Sequence, residues 1–183
     1  ARSLQAAGLA ERVLIVDWDV HHGNGTQDTF YSDPTVFFLS LHQWPHYPGS
    51  GAAHETGEGP GVGTTLNVPL PAGTSPDVYL EHFEAAIQTA LERFQPDFVL
   101  VSAGFDCMAG DPLGEFLLEP EHLHRMTRFI MDRAAANCGG RVVALLEGGY
   151  DPSRLGHGTV AVIRALANLE GPVSGNDATR VAP

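Results

Sequence analysis

The chain has 183 residues, 43% of them hydrophobic, and a formal net charge of −12 with histidine neutral. That apolar content can bury the core of one ordinary domain. The acidic balance argues against direct nucleic-acid binding, because little basic surface is available to neutralise phosphates. It suits metal cations or a basic substrate, and equally a merely soluble surface.

Residues 1–12 read as the end of a helix. They contain neither an initiating Met nor a signal-peptide core, which points to a chain cut from something longer. Residues 13–16 form a short β-branched run, and residues 36–41 (VFFLSL) form another. Residues 42–63 hold Pro45, Pro48, Pro60 and six glycines, and are expected to be a long functional loop. A short strand is expected over 64–70, ended by Pro71. A helix follows over 78–94, with Leu80, Phe83, Ile87 and Leu91 on one stripe and Pro96 just beyond its end.

Residues 98–101 give the next strand. A second long helix spans 121–138 through Leu123, Met126, Phe129 and Ile130, with Gly139 as its C-terminal cap. Residues 142–146 are a further strand, 152–169 a third helix, and 171–183 a flexible tail. The four main apolar runs read as strands buried on both faces. Strands alternating with helices predict an α/β fold with a mainly parallel sheet, in one domain over residues 1–170. No apolar run is long enough to cross a membrane. Cys107 and Cys138 are far apart and lack CxxC spacing, so no disulfide is expected and the cytoplasm is the default location. Cys107 reads as a small core residue.

In a parallel α/β sheet, chemistry gathers beyond the carboxyl ends of the strands. Four of the runs end in DWDVHH, SLHQ, SAGFD and EGGYD. Alternate residues of extended backbone share a face, so Asp19 and His21 are expected to point the same way, with Asp17 leading that face into the sheet. Asp106, from another strand end, can complete a site of three protein ligands. That is the catalytic arrangement for zinc, with one position left open. Iron(II), cobalt or manganese also suit such a ligand set. Tyr150, after Gly148 and Gly149, has backbone room around it and can reach a reacting oxygen. Any one of these strand ends alone reads more simply as a cap, a turn or a packed side chain.

Together DWDVHHGNGT, SLHQ, YPGSG, NVPL, SAGFDCMAGDPLG and EGGY resemble the zinc-dependent deacetylases: histone deacetylases, acetoin-utilisation proteins and acetylpolyamine amidohydrolases. The match runs in order over residues 12–169. The resemblance implies a three-layer arginase/deacetylase-like fold, of which this would be the C-terminal portion. It implies Zn2+ on Asp19, His21 and Asp106, and Tyr150 as hydrogen-bond donor to the substrate carbonyl. It implies a K+ site at Asp17, Ser40 and Leu41, and a second, more distant monovalent-cation site at Phe30, Asp33 and Val36. Tyr47, Leu113 and Gly149 match substrate-binding positions, and Leu113 leans against the polyamine-selective branch. The implied substrate is acetylated lysine or an acetylated small amine.

Two departures matter. The family's tandem-histidine general acid/base lies upstream of DWDVHH, and no histidine precedes Asp19 here. Asp17 and Asn24 match supports for that dyad, with Asn24 pointing to the class II-like branch. The chain alone is therefore expected to have little activity, and its exposed sheet edge is expected at residues 13–16. Two other readings compete: an arginase-like ureohydrolase with two manganese ions, for which Asp111 is the only additional carboxylate near SAGFD, and a non-catalytic metal-binding fragment.

Overall fold

Five apolar runs do become strands. The computed structural model describes residues 1–172, so of the expected tail only 171 and 172 lie within it. The strands are β1 (Val13–Asp17), β2 (Val36–Gln43), β3 (Thr65–Leu70), β4 (Phe98–Ala103) and β5 (Val142–Leu146). All pair in parallel, in the order β3-β2-β1-β4-β5. The helices are α1 (Arg2–Ala6), α2 (Asn24–Phe30), α3 (Pro76–Arg93), α4 (Pro120–Cys138) and α5 (Pro152–Leu166).

The long helices start and stop where local chemistry directs. Pro76, Pro120 and Pro152 each occupy a first-turn position, where the missing N–H is no loss. Glu119 and His122 form a reciprocal cap at the start of α4, and Gly139 ends it at φ 65°, a left-handed conformation that suits glycine. Asp151 caps α5 by accepting from the Arg154 amide.

Strand alternation divides the apolar side chains between two faces. Leu14, Val16, Phe37, Leu39, Val99 and Val101 join α3 and α4 in the larger core. On the other face, Val13, Ile15, Val36 and Phe38 pack with Phe30 of α2 and Leu4 near the N-terminus. Helix α5 lies mainly against α4.

Two expectations are corrected here. The sheet edge is not at residues 13–16: β1 is the central strand, paired on both sides, and is buried along its whole length. The apolar edge is β5, whose Val143, Leu145 and Leu146 are 45%, 50% and 59% exposed. Residues 142–146 are thus not a strand buried on both faces. Val142 and Ala144 reach the large core, while the alternate side chains face outward.

Register sets up the site. Asp17 stands beside Ser40 on one neighbour and Ser102 on the other, at the carboxyl end of the sheet.

Candidate metal centre

Beyond Asp17 the chain leaves the sheet in a bend. Asp17 Oδ1 accepts from the Asp19 amide at 3.0 Å, and Asp19 Oδ1 accepts from the His21 amide at 2.8 Å. Two successive Asx turns, and not the extended alternation anticipated, bring Asp19 and His21 onto one side. Asp106 enters from the end of β4. Its Oδ1 accepts from the Val20 amide at 2.9 Å, which ties the two strand ends together. Asp19 Oδ2 accepts from the Gly148 amide at 2.8 Å, adding the end of β5.

The three side chains converge. His21 Nδ1 lies 3.0 Å from Asp19 Oδ1 and 3.2 Å from Asp106 Oδ2, and one ligand atom from each residue falls within 4.8 Å of the other two. Ligands held about 2.1 Å from a tetrahedral ion stand roughly 3.4 Å apart, so the spacing fits. Asp106 Oδ2 is buried and has no well-directed hydrogen bond of its own. Such a lone pair is costly unless something compensates it. The surroundings also leave room. A β-carbon on Gly148 would fall 2.0 Å from Asp106 Oδ2 and 2.6 Å from Asp19 Oδ2, so only glycine fits against the pair. The residues therefore fit a divalent ion held by two carboxylates and an imidazole.

The charges around the triad follow from burial and proximity. Hydrogen bonds to Asp106 and then Asp19 raise the His21 pKa to about 10. Burial pushes Asp19 up, but the bonds from His21 and the backbone outweigh it and hold the carboxyl below its usual range. Burial raises Asp106 despite the His21 ring nitrogen nearby. Burial, followed by the charge of Asp19, raises Asp17 well above the carboxylate range. A cation beside these groups would relieve the buried Asp17 and Asp106 carboxylates and would compete with the proton on His21.

A cleft of about 980 Å³ opens over the triad. Tyr150 stands at its wall, half exposed, with its ring centroid 6.4 Å from that of His21 at 84°. Burial and the nearby carboxylates raise the phenol above its ordinary pKa, so it stays a donor. Tyr47 stands 6.1 Å from the His21 ring at 77° and is 77% exposed. Leu113 lies on the rim, and Asn24 at the start of α2 also lines the cleft. Gly149 does not line it: at φ 139° it backs onto Phe105 and Leu155, so it shapes the turn before Tyr150.

A family model, the histone deacetylase domain, matches residues 1–166. The chain belongs to the histone deacetylase family. It is 46% identical over 166 residues to "Histone deacetylase 10, chloroplastic" of Oryza sativa, covering 91% of this chain and 38% of that one. It is 44% identical over 165 residues to "Histone deacetylase clr3" of Schizosaccharomyces pombe, covering 87% and 23%. Among solved structures, the HDA15 HD domain superposes with a TM-score of 0.83 at 41% identity, over 93% of this chain and 48% of that one. The acetylpolyamine aminohydrolase from Burkholderia pseudomallei does so at 0.83 and 32% identity, again over 93% and 48%. The chain spans less than half the length of these relatives. Its parallel α/β sheet is the one expected of the deacetylase fold.

The two sets of residues matched above to monovalent-cation positions lie in different surroundings. Asp17, Ser40 and Leu41 are buried next to the triad. Phe30, Asp33 and Val36 lie together at the opposite, amino-terminal end of β2, where the Asp33 carboxylate takes the Thr35 amide and hydroxyl. The binuclear alternative gains no support. Asp111 spends both oxygens on backbone amides, and the triad is the only three-residue ligand cluster among the described residues.

The sequence reading missed several residues. His46 stacks on His21, with centroids 5.1 Å apart at 22°, and its Nε2 donates to the Leu113 carbonyl. Behind the triad lies a buried polar network. His22 donates from Nε2 to Gln27 Oε1 and accepts at Nδ1 from Ser50; Gln27 in turn donates to Glu55. His42 bridges Ser40 and the Gly51 carbonyl. The network pins residues 50–55, which follow Tyr47, to β2 and α2. Only the Pro and Gly content of residues 42–63 hinted at it.

Proposed function

We propose that this chain carries the metal-binding half of a zinc-dependent deacetylase, which hydrolyses the amide of acetyl-lysine or a related acetylated amine. The observation that carries this reading is the convergence of Asp19, His21 and Asp106 under a cleft walled by Tyr150. When bound, zinc supplies a Lewis acid that polarises the acyl carbonyl and acidifies water; iron(II) or cobalt could serve in its place. Tyr150 donates its phenol hydrogen to the carbonyl oxygen as negative charge develops there, an interaction worth a few kcal/mol in such sites. Tyr47 walls the channel for the acyl-bearing stem, and Leu113 forms its apolar rim.

Asp17, Ser40 and Leu41 would hold K+, whose charge would offset the crowded carboxylates. Phe30, Asp33 and Val36 form the weaker second monovalent-cation site. The substrate is an acetylated side chain or small amine, taken up without nucleic-acid contact, in a reducing compartment consistent with the free Cys107 and Cys138. No described helix is long and apolar enough to cross a membrane. The cytoplasm is the location we infer.

Hydrolysis also needs a group that accepts a proton from water and returns one to the amine. His21 is engaged as a ligand, and His22 is buried with both ring nitrogens bonded. On this reading Asp17 and Asn24 support a tandem-histidine dyad, and no histidine precedes Asp19 in these 183 residues. We therefore expect the chain alone to release acetate from an acetyl-lysine peptide far more slowly than full-length relatives. Comparable rates would refute this division of labour. Zinc binding without turnover is the outcome expected of the fragment, and replacing Tyr150 with Phe should not change it.

A further inference from the structure

We infer that Asp111 is a positioning residue for Tyr150. This rests on the reading above, in which the Tyr150 phenol meets the acyl oxygen. Asp111 is buried at 7% exposure and, among the described residues, makes no ion pair with an arginine. Its two oxygens divide between two segments. Oδ1 accepts from the Leu113 amide at 2.9 Å, an ordinary local turn. Oδ2 accepts from the Tyr150 amide at 2.7 Å and the Asp151 amide at 3.3 Å, across 39 and 40 residues. A turn former needs only the first of these bonds. The second joins the rim loop directly to the backbone of the residue that reaches over the triad.

Upstream the turn is held at Gly148, whose amide donates to Asp19 Oδ2 and whose carbonyl accepts from the Phe105 amide; at Tyr150 itself the Asp111 carboxylate is what the amide meets. Gly148 and Gly149 precede Tyr150, and the tyrosine side chain itself is half exposed. On its other side the rim loop is fastened to the residue 43–46 segment. The Glu115 amide donates to Gln43 Oε1 at 2.9 Å, and His46 Nε2 donates to the Leu113 carbonyl at 3.0 Å. Asp111 therefore closes a belt of hydrogen bonds around the cleft, from Gln43 and His46 through Leu113 to Tyr150. Charge-assisted bonds to backbone amides are stronger than neutral ones, so one carboxylate suffices. Asp151 continues the belt into α5 by capping its first turn.

The test uses the full 183-residue chain loaded with Co2+, titrated with acetohydroxamate, a chelator whose carbonyl oxygen stands in for the acyl group. Asp111→Ala, Asp111→Asn, Tyr150→Phe and the Asp111→Ala/Tyr150→Phe double variant are compared. Tyr150→Phe should weaken binding about five- to tenfold, the equivalent of one hydrogen bond. Asp111→Ala should do the same and add nothing to the double variant; Asp111→Asn, which keeps one acceptor, should fall between. Independently of metal, Asp111→Ala should speed amide exchange at Tyr150 and Leu113 by more than about tenfold, while β1 amides keep their protection. Losses that multiply in the double variant, or unchanged exchange at Tyr150, would overturn the inference. If the parent chain takes up no Co2+, the metal reading fails instead, and the exchange measurement still decides the role of Asp111.

Discussion

Asp19 holds four relationships at once. It accepts from the His21 amide and from the Gly148 amide, lies 3.0 Å from the His21 ring nitrogen, and faces Asp106 across the same space. That density explains why the motif could be read and its geometry could not. The residue types were legible because carboxylates and imidazoles after an apolar run are costly without a partner. The Asx turns that aim them depend on local bends, and these leave no periodic trace. Asp111 and His46 act on backbone groups distant in sequence, so no spacing rule could reveal them. At this scale the sharpest prediction concerns Gly148. A β-carbon there would meet both carboxylates, so Gly148→Ala should lower metal affinity by about 100-fold or more, beyond the usual cost of perturbing the surroundings of a ligand. Isothermal titration with Zn2+ would measure it; unchanged affinity would mean the space beside the pair is not where the ion sits.

At the scale of elements, the long helices and the β-branched runs were legible to within a few residues. Helix α4, expected over 121–138, spans Pro120–Cys138 with the anticipated glycine cap. Helix α5, expected over 152–169, ends at Leu166. Helix α2 was not anticipated, because NGTQDTF contains a glycine and buries only Gln27 and Phe30. The order of strands was not legible either, since VVALL reads as apolar as the central strands and only pairing reveals which one is the edge. Caps offer a direct check. Asp151→Ala removes the side-chain acceptor for the Arg154 amide and should cost about 1 kcal/mol in chemical denaturation. A loss near zero would mean that water replaces the cap.

Among the described residues the sheet has five strands, and its apolar edge, β5, is open while its other end strand, β3, exposes less apolar surface. Edges of that kind pair with other chains. Leu145→Lys should therefore reduce self-association in sedimentation velocity, with no loss of the far-ultraviolet signal; unchanged association would place the sticky surface elsewhere.

Acid should also weaken the fold at its buried histidines. Burial and the neighbouring His22 depress His42 to about 4, and burial lowers His22 as well. Each group binds a proton more readily when unfolded, so its stabilising contribution is full above about pH 6.5 and is lost as pH falls, for His42 through about 4. For His42 the loss approaches roughly 3 kcal/mol. His21, raised to about 10, and the raised Asp17 and Asp106 act in the opposite sense, because each binds a proton more readily when folded. Between pH 7 and 5 the melting temperature of metal-free His42→Gln should fall less, or rise more, on acidification than that of the parent, which loses the His42 contribution. An equal slope in the variant would assign the effect to other groups.

The central claim is that one divalent ion is gripped by Asp19, His21 and Asp106 together. X-ray absorption at the zinc edge, combined with metal analysis of the purified chain and of Asp106→Ala, tests it most directly. The account predicts one zinc per chain in a shell of nitrogen and oxygen ligands without sulfur, lost in the variant. Two metals per chain, a sulfur ligand, or full retention in Asp106→Ala would contradict it.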